Sequence, residues 1–77
     1  MDRLTRFGRL LYIEVQLLKL PQGQSISLPV EVDLYLALRQ RIYRGNKNNT
    51  YKGTIVIGQD PDNTNNLIFN KLNEYGD

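Results

Sequence analysis

Seventy-seven residues, 40% of them hydrophobic and 23% charged, with ten lysines and arginines against eight acids, are enough for one core and too few for two. The chain has no cysteine and no histidine, which removes disulfides, thiol chemistry, the common zinc sites and Ser-His or Cys-His nucleophile pairs. No segment approaches the ~20 apolar residues of a membrane span, and Arg6, Gly8 and Arg9 interrupt any signal-peptide core, so the expectation is a cytoplasmic protein with no membrane partner.

Residues 1–9 form a basic arm, with Arg3, Arg6 and Arg9 at every third position. Residues 10–77 then make a single α+β domain. Residues 10–20 read as a strand, because Leu11, Ile13, Val15 and Leu17 alternate with Tyr12, Glu14, Gln16 and Leu18. The competing reading is one long helix to Lys19, with Leu4, Phe7, Leu11, Val15 and Leu18 as its stripe; Gly8 argues against it. Pro21 to Gln24 is a turn of the right length for a hairpin into the next strand.

Residues 25–45 carry two periods at once. Ile26, Leu28, Val30, Val32, Leu34, Leu36 and Leu38 alternate as in a strand, while Val30, Leu34, Leu38 and Ile42 recur as on a helix. A 13-residue strand is too long, so the stretch divides. Residues 25–32 become a strand, and Pro29 confines it to a sheet edge or a strand end. Asp33 becomes a helix N-cap, residues 34–44 the helix, and Gly45 its C-terminal cap. Leu36 and Tyr43 fall opposite the main stripe.

A polar loop at 46–49 leads to a third strand at 51–58, whose Ile55-Val56-Ile57 centre is apolar enough for burial on both faces. Asp60-Pro61-Asp62-Asn63 suits a type I turn. Residues 67–75 read as a second helix with Ile68, Leu72 and Tyr75 on one side and Gly76 at its end. A strand over 67–72, paired back on 54–57, competes with it. The expected fold is therefore a small single α+β domain: an N-terminal β-hairpin, a central helix packed on the sheet, a further strand and a C-terminal helix.

That order, over roughly residues 10–58, is similar to the ubiquitin-like β-grasp pattern. The chain ends Tyr75-Gly76-Asp77, without the Gly-Gly tail of conjugating members, so the resemblance implies no conjugation chemistry. Residues 25–32 followed by a helix also resemble the strand and first helix of ribbon-helix-helix DNA-binding proteins, with Thr64 to Ile68 and Tyr75 resembling the start and end of their second helix. In that family a short turn joins the helices, whereas here residues 46–63 intervene.

The acids carry little chemistry. Asp60-x-Asp62-x-Thr64 after an apolar run is similar to the nucleophile motif of haloacid-dehalogenase-type phosphatases, which need a far larger scaffold. The same residues with Asn66 look like the start of a calcium loop, yet Asn65 stands where that loop needs Gly and Lys71 where it needs Glu. A solvated turn is the simpler reading. Asn48-Asn49-Thr50 matches a glycosylation acceptor, and nothing else points to secretion. The chain is expected to be no enzyme and to hold no metal and no cofactor.

The basic residues are the main functional signal. Arg39, Arg41, Arg44, Lys47 and Lys52 fall within fourteen residues that contain no acid, with Tyr43 and Tyr51 interleaved. Phosphates call for such cations, and single strands for aromatic faces on which bases stack. Those seven residues are the candidate binding site for DNA or RNA. Basic side chains near a helix C-terminus also simply offset its dipole. A protein partner or self-association is the leading expectation: a small chain with a Pro-marked edge strand and surplus Leu18, Leu20 and Leu36 has surface to cover.

Overall fold

The computed structural model describes residues 5–72. Helix α1 (Arg6–Lys19) is followed by strand β1 (Ser25–Pro29). A 3-10 turn (Val32–Leu34) runs into helix α2 (Tyr35–Lys47), and strands β2 (Thr54–Gln59) and β3 (Asn66–Leu72) complete the chain. The sheet is antiparallel throughout in the order β1-β3-β2, so the last strand is the central one. Among the described residues the fold is a small compact α+β domain of two α-helices and three strands. No helix among them is long and apolar enough to cross a membrane.

One face of the sheet carries the core. Leu28 of β1, Ile55 of β2, and Leu67 and Phe69 of β3 share it with Leu10, Ile13 and Leu17 of α1 and Leu34, Leu38 and Ile42 of the second helical segment. The other face shows Ser25, Ser27, Val56, Ile68 and Asn70. Alternation along each strand makes the division.

The first correction concerns residues 10–20, which are no strand: they are helical to Lys19, with Leu20 as the C-cap. Leu10, Ile13 and Leu17 are spaced i, i+3, i+7 and buried, a period that only a helix turns to one side. Thr5 caps the helix, its hydroxyl accepting from the Gly8 N–H at 2.9 Å. The competing helical reading was right about the element. The stripe drawn for it, Phe7, Leu11, Val15 and Leu18, lies on the side away from the core. With no strand there, Pro21 to Gln24 joins a helix to a strand and closes no hairpin. Gly23, at φ 83°, donates its N–H to the Lys71 carbonyl at 2.6 Å. The β-grasp order, which needs that hairpin, is not the order seen.

The centre of the chain follows expectation in its core stripe and departs from it at both ends. β1 is an edge strand, so Pro29 costs the ladder nothing. It stops at Pro29, and Val30 N–H reaches the Asn65 carbonyl at 3.3 Å. Asp33 is not the N-cap of α2: the 3-10 turn draws it inside, and Leu34 stands at the cap without a side-chain bond. Arg9 instead forms an ion pair with Glu31 and lies 3.9 Å from Asp33. Gly45 is not a terminal cap. It is a buried helical position against which the Tyr51 ring lies, where any Cβ would overlap that ring. The helix runs on to Lys47 and ends at Asn48.

β2 begins at Thr54 rather than at 51, and it is an edge strand buried on one face only, with Val56 exposed. Asn46 of α2 grips its open side: the Asn46 amide donates to the Ile55 carbonyl and accepts the Ile55 N–H, both at 2.9 Å. Residues 67–72 are the strand of the competing reading, not a helix, with Thr54 opposite Leu72 and Ile57 opposite Phe69. Leu67, Phe69 and Lys71 are buried in alternation. That removes the second helix on which the ribbon-helix-helix resemblance rested. Residues 73–77 and 1–4, including the expected end of that helix, Arg3 and the first four residues of the basic arm, lie outside the described residues, while Arg6 and Arg9 belong to α1.

Candidate functional site

Helix α2 divides the predicted basic segment. Successive residues of a helix turn by about 100°. Positions 34, 38 and 42 therefore face the sheet, and positions 36, 39, 40, 43, 44 and 47 face away from it. Leu36, Arg39, Gln40, Tyr43, Arg44 and Lys47 form one open surface, a ridge along that outer side. Tyr43 is 67% exposed and Leu36 69%. Lys47 Nζ stands 5.8 Å from the centre of the Tyr43 ring, and the Arg39 guanidinium 5.5 Å from that of Tyr35. At such distances the cations are drawn to the ring faces and hold the side chains along the helix. None of the six lining residues is acidic.

Arg41 does not join this ridge. It turns toward α1 and donates from Nε and Nη2 to the two Glu14 carboxylate oxygens, each at 3.0 Å. The Tyr51 hydroxyl donates to Glu14 Oε2 at 3.2 Å. Tyr51 is 2% exposed, so its ring is packed and offers no face to a base. Hydrogen bonding to Glu14 holds the Arg41 guanidinium above its ordinary pKa. Burial, then the charge of Glu14 and the bond to it, push the Tyr51 phenol up. Two residues singled out for binding thus form a bracket that ties α1, α2 and the segment before β2 together. A bidentate, partly buried pair of this kind is stronger than an exposed one. Lys52 is exposed with φ 57°, and its carbonyl accepts from Gln22 Nε2 at 2.5 Å. It is not among the residues that line the ridge. Of the seven candidates, the structure brings together Arg39, Tyr43, Arg44 and Lys47 on the outer side of α2; Arg44 also borders a smaller cavity with Glu14, Arg41 and Tyr51, and Lys52 stands apart from both.

The outer side of α1 is of another kind. Phe7, Leu11, Val15 and Leu18 follow each other at i, i+4, i+8, i+11 and are exposed, Phe7 at 57% and Leu18 at 51%. Tyr12 is exposed beside them. The Arg41 guanidinium lies 5.4 Å from the Phe7 ring and reaches the margin of this stripe, already neutralised by Glu14. In the sequence this surface is the stripe of the competing helical reading, from Phe7 to Leu18.

At the far end of the sheet Asp60 is engaged by its own turn. One carboxylate oxygen accepts from the Ser27 hydroxyl at 2.6 Å and the other from the Asp62 N–H at 2.9 Å. The Ser27 bond, seconded by the Asp62 N–H, holds Asp60 below the ordinary carboxylate pKa. Both oxygens are committed to closing the β2–β3 turn and tying it to β1. Among the described residues no three potential metal ligands cluster. Lys71 is the unexpected residue: it is 2% exposed on the core side of β3, its stem packed on Gly53, and burial lowers its pKa. Its alternation with Leu67 and Phe69 was the signal.

Neither a protein-family model, nor a curated protein, nor a solved structure matches this chain.

Proposed function

We propose that this chain is a small non-catalytic binding module that works by self-association, two copies meeting through the outer side of α1. The observation that carries the reading is the second apolar stripe of that helix, Phe7, Leu11, Val15 and Leu18, exposed opposite the flank that fills the core. A surface helix of a monomer needs one apolar stripe, and this one has two. The stripe runs for about 16 Å along the helix. In a twofold contact each residue meets the partner's copy of the same patch, so a charged patch repels itself and a neutral one does not. From Phe7 to Leu18 the stripe contains no charged side chain of its own, and Glu14 at its margin is bound by Arg41. A second copy therefore suits it without any complementary charge. Small domains commonly gain stability in this way.

Sedimentation over a range of concentrations tests the proposal. The expected result is a concentration-dependent dimer that becomes a monomer in the double variant Leu11→Gln, Leu18→Gln, with helical circular dichroism retained. A natural protein that stays monomeric at the highest soluble concentration, or a variant that dimerises as well as it does, overturns it.

A further inference from the structure

We infer that the outer side of α2 is a docking ridge for single-stranded nucleic acid. This goes beyond self-association and rests on different residues.

The ridge occupies the whole solvent side of the helix. From Arg39 to Lys47 it runs about 12 Å, two turns and a little more. Arg39, Arg44 and Lys47 bring three positive charges, and among the described residues no carboxylate lies within ion-pair distance of any of them. Among the described acids of the helical layer, Glu14 is bound to Arg41 and Glu31 to Arg9, and Asp33 lies 3.9 Å from Arg9. Asp60 and Asp62 stand in the β2–β3 turn. A second copy of the chain would set cation against cation here, so the ridge suits a polyanion and not itself.

Tyr43 decides between polyanions. Its ring is 67% exposed and lies among the three cations, one turn from both Arg39 and Lys47. An acidic peptide uses the charges and leaves that ring idle; an anionic lipid surface takes up apolar area, and here only Tyr43 and Leu36 offer it. A single strand uses charges and ring alike, placing phosphates on Arg39, Arg44 and Lys47 and stacking a base on Tyr43, with the Gln40 amide alongside to donate or accept. A duplex keeps its bases stacked on each other and forgoes the ring. One exposed ring on one helix holds a few nucleotides without reading their sequence, since every base has a face to stack.

Anisotropy titrations of labelled oligo-uridine and oligo-thymidine at low and moderate salt, with the corresponding duplex, poly-glutamate and phosphatidylserine vesicles beside them, test the inference. The expected result is saturable binding to the single strands, with a log–log salt slope of roughly 2 for three phosphates neutralised. Tyr43→Ala should weaken it by about 5- to 150-fold, and Tyr43→Phe should restore it. The triple variant Arg39→Gln, Arg44→Gln, Lys47→Gln should abolish it. Lys52→Gln, in the same run of sequence but off the ridge, should leave it unchanged. Each variant is solvent-facing, and circular dichroism checks its fold. No binding at low salt, binding that survives the triple variant, an equal loss with Lys52→Gln, no effect of Tyr43→Ala, or preference for the duplex, poly-glutamate or vesicles over the single strands overturns the inference. Sedimentation without nucleic acid reads self-association separately, so the failure of one reading is distinct from the failure of the other.

Discussion

Helices α1 and α2 are nearly equal in length, fourteen and thirteen residues, and lie on the same face of one sheet. Each gives its inner side to the core: Leu10, Ile13 and Leu17 from α1, Leu38 and Ile42 from α2. Their outer sides differ. α1 shows a second apolar stripe, and α2 shows cations around an exposed tyrosine. Inner sides obey a common requirement, since the same sheet must be covered. Outer sides are released from it, so their contrast carries information about partners. An apolar outer side favours its own copy and tolerates salt. A cationic one repels its own copy and loses affinity as salt screens it.

The comparison assumes that inner and outer sides are energetically distinct, and adjacent residues test this most strongly. Leu17→Ala and Leu38→Ala, at fully buried positions, should each cost about 2–5 kcal/mol, a large share of the stability of so small a domain. Leu18→Ala and Leu36→Ala, on the outer sides, should each stay within about 0.5 kcal/mol in urea melts at concentrations too low for association. A loss at Leu36 equal to that at Leu38 would break the division of α2. At higher concentration Leu18→Ala should begin to cost stability while Leu36→Ala should not, which sharpens the contrast between the helices.

The bracket that holds the two helices together gives an intermediate effect. Glu14→Gln leaves Arg41 with a weaker partner and should destabilise by about 1–3 kcal/mol. The same bracket produces an alkaline limb. The folded phenol of Tyr51 titrates above its unfolded value, so its contribution is complete below about pH 10 and fades as pH rises further. Stability measured from pH 9 to 11.5 should fall, and Tyr51→Phe should flatten that fall. A fall of equal steepness in the variant would remove Tyr51 as its source.

The smallest effect belongs to the part of the molecule that takes no part in the contrast. Asp60 is held below its unfolded pKa, so its contribution is present above about pH 4 and is lost as pH drops toward the folded value. Asp60→Asn should shallow the acid limb of stability and change neither self-association nor strand binding. An effect on either would tie the β2–β3 turn to the helical layer in a way that its contacts do not suggest.

The buried stripe Leu34, Leu38 and Ile42 was legible because no strand of ordinary length could hold it, and Pro29 told its edge truthfully. Residues 10–18 were not legible. A segment so rich in apolar residues satisfies both periods, and the deciding terms are a Thr5 cap of about 1 kcal/mol and long-range packing that local pattern does not contain. The C-terminal helix reading failed for the converse reason, and the competing strand held: Ile68 and Leu72 have helical spacing, yet they stand on the open face, while Lys71 sits inward against expectation. The basic run was visible as composition. Its division was not, because two positions along a helix is a turn of about 200°, which puts Arg41 nearly opposite Arg39. Glu14, the partner that removes Arg41 from the ridge, is 27 residues away in sequence.

The grip of Asn46 on Ile55 bears on how far assembly can go. Pairing between the two different edges of this sheet, β1 of one copy on β2 of the next, is a head-to-tail contact, and growth continues wherever the rotation does not close a ring. At Ile55 a side-chain amide already occupies the place that an incoming strand would need, so β2 does not serve as a template there. Pro29 has no N–H to lend on the opposite edge. A contact through the helices is isologous, uses each copy's patch once, and closes. Each edge of the sheet is thus interrupted at one position, and a single asparagine on α2 works against filament growth through β2.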